Sequence, residues 1–304
     1  MVNDNIVHYI AYMQYNESSL CAEKYMYTSR EIGSYLEGNY EYKIRPFVSM
    51  QKFIENSGFI QEIILKKQGV NIPEKLYYDK NKIKATISPV DIAINLKVPY
   101  FLTGYYIFSE LGLTEYAPKV IHVDWIRPKG RNKHQGLIDN EVLQQIAFKP
   151  KRETSRIISY DGYQIYLLNG KYFGENPDEY TINMKISNAN CSEIKTLKLE
   201  KLMIESLINY QYFGGADLVW EVFMKVKNDL NLSKLIEYYK ECDYQYPYQN
   251  ALGYLLETAS ADREVISYFE KNVNKNIKFH LFIGDSERRI WNEKWNLYVP
   301  KRFT

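Results

Sequence analysis

The side chains best suited to chemistry in this chain are basic, and they fall in two groups. Lys43, Arg45, Ser49, Gln51, Lys52 and Asn56 occupy one stretch, and Lys66, Lys67 and Lys75 follow it. Ammonium and guanidinium groups hold phosphates, while amides, hydroxyls and long cations reach base edges. Ser49, Gln51, Lys52 and Asn56 would form the polar front of a recognition helix, with Lys43 and Arg45 positioned for phosphates just upstream. Lys66, Lys67 and Lys75 would touch the duplex from a neighbouring loop. A solvated helix face is the competing reading, since Glu55 and Glu62 dilute the charge. The second group is Arg127, Lys129, Arg131 and Lys133 with His134, continued by Lys149, Lys151, Arg152 and Arg156. Between Arg127 and Arg156 only Asp139, Glu141 and Glu153 oppose it, which makes this the strongest local charge excess in the chain. Such a surface suits an extended DNA footprint, the acceptor end of an RNA, an acidic partner, or nothing beyond solubility.

Signatures of catalysis are sparse. There is no glycine-rich phosphate loop, no His-Glu-x-x-His and no Gly-x-Ser-x-Gly nucleophile elbow. His8, His122, His134 and His280 are scattered, and His122 and His280 fall in predicted strands. Asp124, Glu141 and Lys149 come nearest to a metal-nuclease triad, at loose spacing. Gly214-Gly215 opens a helix whose N-terminus would attract an anion. Asp217 in that first turn already answers the helix dipole, so the pair reads as a tight turn between packed helices. No catalytic residue, metal or cofactor is expected.

Composition narrows the class. The 304 residues carry a net charge of only +2 and are 45% hydrophobic, enough for two modest domains but no polycation. Cys21, Cys191 and Cys242 fit neither a disulfide framework nor a metal spacing. No basic start leads into an apolar run, and no uncharged apolar stretch reaches the roughly 18 residues of a membrane span. A cytoplasmic protein with no membrane partner is the expectation. Most of the 29 tyrosines sit at helical spacing beside Leu and Ile, so they read as core packing rather than stacking platforms.

The elements that would position these groups can be read along the chain. Residues 1–87 pattern as three helices followed by a strand pair. Thr28 and Ser29 offer caps to the second helix, Ser49 caps the third, and Gly58 ends it. Phe59–Leu65 and Leu76–Tyr78 read as the paired strands. This order is that of a winged helix-turn-helix. Ser88-Pro89-Val90-Asp91 is a capping box with Pro in the first turn, so a new helix starts there. A helix near Thr103–Leu111 ends at Gly112, and Lys119–Trp125 alternates as a strand. Asp161-Gly162 marks a hairpin between Ile157–Tyr160 and Gln164–Leu168. Asn169-Gly170 suggests a further turn, giving a β-meander. Thr196–Lys271 is helical almost throughout, and Lys278–Ile283 and Trp295–Val299 look like closing strands. The fold class expected is α+β: a winged helix over 1–87, then a mixed α/β domain over 88–304 with a helical C-terminal half.

Two helical segments carry a resemblance. Leu199-Glu200-Lys201-Leu202-Met203-Ile204-Glu205 closing on Tyr212-Phe213-Gly214-Gly215, followed by Tyr246-Pro247-Tyr248 through Gly253-Tyr254-Leu255-Leu256-Glu257, is similar to segments of the AbiEi-like antitoxin family. Pro99–Tyr106, Leu111-Gly112-Leu113-Thr114 and Trp295–Pro300 resemble further segments of that family. Lys201 stands where the family has Arg, Glu205 where it has Asp, and Leu111 where it has His. The resemblance implies an antitoxin and autorepressor of a bacterial type IV toxin–antitoxin system for abortive phage infection. Such a protein binds double-stranded promoter DNA and counters a nucleotidyltransferase toxin without a stable complex. A winged-helix transcription factor or phage-defence accessory protein without a toxin partner is the alternative.

Overall fold

The computed structural model describes residues 24–32, 54–55, 58–69, 74–96, 100–126, 138–171, 176–241, 244 and 246–304. The α+β class holds across them, with two sheets. The larger has nine strands in the order β1-β3-β2-β6-β7-β5-β4-β9-β8. Its strands are β1 (Met26–Thr28), β2 (Ile60–Lys67), β3 (Glu74–Asp79), β4 (Tyr100–Thr103), β5 (Val120–Trp125), β6 (Ile157–Tyr160), β7 (Tyr163–Leu167), β8 (Thr181–Lys185) and β9 (Glu193–Leu197). The smaller sheet is β10 (Phe279–His280), β12 (Leu297–Pro300) and β11 (Arg289–Asn292), in that order.

Local signals set several elements as expected. Ser88 caps α1 (Pro89–Asn95), and the Asp91 carboxylate reaches back to the Ser88 N–H. Asp161 and Gly162, both at positive φ, turn β6 into β7. Helix α2 (Tyr105–Glu110) ends before Gly112 at φ 67°. Helices α4 (Leu199–Ile208), α5 (Ala216–Val226), α6 (Leu232–Glu241), α7 (Tyr248–Thr258) and α8 (Arg263–Lys271) fill the helical half; α3 (Asn140–Ile146) lies earlier. Gly214 and Gly215, at φ 87° and 99°, turn the chain into α5. Trp295 is fully buried and lies so close to α7 that a Cβ on Gly253 would come 2.0 Å from its ring.

The β-meander does not form. β7 lies parallel to β5, and β9 lies parallel to β4 through Leu102 and Thr196. The sheet therefore returns through crossovers, with α1 and α2 packed on β5. The expected wing strands do pair, as β2 and β3, and β1 adds a third strand against β3. The larger sheet also runs across residue 87: Lys66 and Lys67 of β2 stand in register with Ser159 and Ile158 of β6. Asp91 reinforces that seam. Its carboxylate accepts from the Tyr25 hydroxyl, the Asn190 backbone N–H at 2.8 Å and the Asn190 side chain at 3.0 Å.

Candidate functional site

Of the first basic group, Lys66, Lys67 and Lys75 lie within the described residues; Lys43, Arg45, Ser49, Gln51, Lys52 and Asn56 lie outside them. Lys66, Lys67 and Lys75 do not lie in a loop, because the strands run further than expected: Lys66 and Lys67 end β2, with Lys66 in solvent and Lys67 half-buried, and Lys75 lies on β3. Lys75, across the hairpin, is held by the Glu62 carboxylate at 3.0 Å, and that bond raises its pKa. A phosphate at Lys75 would have to compete with Glu62, so Lys66 is the cation best placed for one.

Arg127, Lys129, Arg131 and Lys133, with His134, also lie outside the described residues. The continuation of that group divides. Lys149 and Arg152 are exposed. Arg156 is committed to the Leu168 carbonyl at 2.7 Å and the Asn169 side chain at 2.9 Å. Lys151 turns inward, donates to the Ile208 carbonyl and stands 5.6 Å from the Tyr210 ring centre. Its burial, with Lys171 adding to the effect, pushes its pKa down to about 8.

Asp124, one residue before the end of β5, is buried. Its carboxylate accepts the backbone N–H groups of Trp125 at 3.0 Å and Gly170 at 2.8 Å, and burial raises its pKa. Glu141 and Lys149 are both exposed. Among the described residues, no group of three or more His, Cys, Asp or Glu is arranged to hold a metal ion.

A buried charge network sits nearby that spacing alone does not announce. Lys201 and Glu205, one turn apart on α4, pair at 3.0 Å with side chains 1% and 5% exposed. Lys171, which follows the Asn169-Gly170 turn, also bonds Glu205, and Lys201 reaches the Tyr244 hydroxyl at 3.0 Å. Burial alone would raise the Glu205 pKa, but Lys171 and Lys201 override it and hold the carboxyl down at about 2. Three ammonium groups, from Lys151, Lys171 and Lys201, thus face two carboxylates, Asp124 and Glu205, where the helical half meets the larger sheet. The sequence signal was an i,i+4 ion pair on a helix with apolar neighbours on every side.

His122 lies two residues before Asp124, opposite Thr103 on β4 and Tyr166 on β7. Burial drives its pKa down to about 3, so the ring is neutral. A Cβ on Gly104 would come 2.5 Å from its Nδ1, so this close packing requires glycine.

No protein-family model matches the chain, and no curated protein does. Among solved structures, the chain is similar to the crystal structure of the RV2827C protein from Mycobacterium tuberculosis, at TM-score 0.48 and 12% identity, over 91% of this chain and 86% of that one. Among the described residues, no helix is long and apolar enough to cross a membrane.

Proposed function

We propose that the chain is an AbiEi-like antitoxin that binds its own promoter as a transcriptional autorepressor, with a nucleotidyltransferase toxin as its functional counterpart. The observation that carries this reading is the Lys201–Glu205 pair. It occupies the positions at which the resembling segment carries Arg and Asp, and in this chain the pair is buried one helical turn apart. A buried ion pair is a physical constraint: an unpaired charge there is strongly destabilising. Gly214 and Gly215 follow at positive φ, a backbone that glycine adopts readily. The β1-β3-β2 ribbon is consistent with a wing, and Lys66 is its accessible cation.

Growth rescue tests the antitoxin half. The neighbouring gene is expressed from an inducible promoter, and the full chain is supplied in trans from an unrelated one. Rescue supports an antitoxin whose action does not depend on repression; failure to rescue a toxic neighbour removes the assignment. The DNA half is tested by binding to the promoter duplex across a salt series. Lys66→Ala should weaken binding on every sequence and reduce the salt slope by about one unit. An unchanged slope would take Lys66 out of the interface.

A further inference from the structure

The smaller sheet has two unlike faces. Alternation along its strands puts Phe279, Leu297 and Val299 on one face, and all three are buried. The other face carries His280, Tyr298 and Trp291 at one register, one ring from each strand. Their ring centres are 4.7 Å apart between His280 and Tyr298, and 4.7 Å apart between Tyr298 and Trp291. Phe148, just beyond α3, extends the row past β10, 5.6 Å from His280 and edge-on to it. The two ends of the row stand out into solvent: Phe148 is 53% exposed and Trp291 37%.

Two cations bracket these rings. Lys278 places its ammonium 5.7 Å from the Trp291 ring centre, and the Arg289 guanidinium lies 5.3 Å from that of Phe148. Arg289 bonds the carbonyls of Leu281, Phe282 and Asp285. Among the described residues, neither cation pairs with a carboxylate. The Asp285 and Glu287 carboxylates nearby are taken by Arg302. His280 adds no charge of its own, since burial, with Arg289 nearby, holds its pKa down to about 4.

An aromatic row on a sheet face, flanked by cations without carboxylate partners, matches what a single-stranded nucleic acid needs. Exposed rings stack bases whatever their sequence, and the cations take the phosphates. We infer that this face binds single-stranded nucleic acid, with Trp291 and Phe148 stacking bases and Lys278 contacting the backbone. The face belongs to the smaller sheet and Lys66 to the larger one, so the inference does not depend on the proposed duplex contact.

The test uses the full chain and a fluorescein-labelled oligouridylate, read by anisotropy, with an unlabelled duplex as competitor. Single-strand binding should survive that competition. Trp291→Ala and Phe148→Ala should each weaken it on the order of tenfold, while Trp291→Phe should retain most of it. Lys278→Glu should lower affinity and reduce the salt slope, and Lys66→Ala should leave single-strand affinity unchanged. The proposal is overturned if the wild type does not bind the oligonucleotide, or if Trp291→Ala and Lys278→Glu bind as the wild type does. It is equally overturned if Trp291→Ala instead converts a dimer to a monomer in sedimentation, which would make the face a self-interface. Lys278 and Trp291 are both exposed, so their variants test the face without opening the core.

Discussion

Lysine plays opposite parts in the two sheets. Beside the larger sheet, Lys201 is enclosed, paired with Glu205 and bonded to Tyr244. On the smaller sheet, Lys278 is exposed and leans on a tryptophan. The first arrangement uses charge to fix position. Its partners are internal, and removing one leaves another stranded. The second leaves charge available and exposes aromatic area that could have been buried. Residue type alone therefore says little about role; what matters is whether the partner of a charge lies inside the fold.

The largest test of this contrast is acid. Among the described residues, each sheet holds one buried neutral imidazole, His122 in the larger and His280 in the smaller. Burial lowers their pKa values to about 3 and about 4, from an ordinary 6.5. Below pH 6.5 the unfolded chain takes up protons that the folded chain refuses. The stability these two rings contribute should therefore be complete above that pH and decline as pH falls toward the folded values. The slope is about 1.4 kcal/mol per pH unit for each ring. Glu205 adds a second loss between 4.5 and about 2, since its folded pKa is depressed as well. Urea unfolding across that range reads the sum. His122→Phe should flatten the curve more than His280→Phe; the reverse ranking would put the more hydrated imidazole in the larger sheet.

Glu205→Ala comes next. It leaves Lys171 and Lys201 without their shared carboxylate, and a loss of about 3–5 kcal/mol is expected in denaturant unfolding. Glu205→Asp together with Lys201→Arg restores the charges and should recover much of that loss. A loss below about 1 kcal/mol for Glu205→Ala would mean that water reaches the network. Gly253→Ala should cost about 1–3 kcal/mol, because the new methyl meets the buried Trp295 ring. A neutral result by calorimetry would show that α7 can shift away from the tryptophan. Trp291→Phe should change stability least, by about 0.5 kcal/mol or less, if its ring is kept for a partner rather than for the core. A large drop in melting temperature would move Trp291 to the structural side of the comparison.

Local devices were legible in the sequence. The Ser88–Asp91 capping box, the Asp161-Gly162 turn and the apolar stripes of α5 and α7 each announce themselves within a few residues. Strand partners were not. β5 and β7 are parallel, and residues 126–162 separate them in the chain, so neither carries a mark of the other. The apparent meander came from reading neighbours in sequence as neighbours in the sheet. β11 carries no strand signal, because Arg289-Ile290-Trp291-Asn292 is short and half polar and so lacks an alternating apolar run. The tyrosines read correctly as packing in the helices, where Tyr238 and Tyr248 are buried. The aromatic row carries no such local mark, because its rings are brought together from three strands and a loop. Of the candidate site, Lys66 was visible as an exposed cation, but its backbone pairing with β6 depended on residues more than ninety positions away.

Asp91 has a further consequence, in time rather than in energy. A capping box is normally local knowledge: four residues close it without help from elsewhere. Here the same carboxylate also receives Tyr25, 66 positions earlier, and Asn190, 99 positions later. The start of α1 is thus the meeting point of three distant stretches, and it is complete only when the last of them arrives. The Asn190 amide, protected only in that assembled state, is a natural clock for amide-exchange experiments: its slowing should mark the moment at which the chain's early and late portions recognise one another.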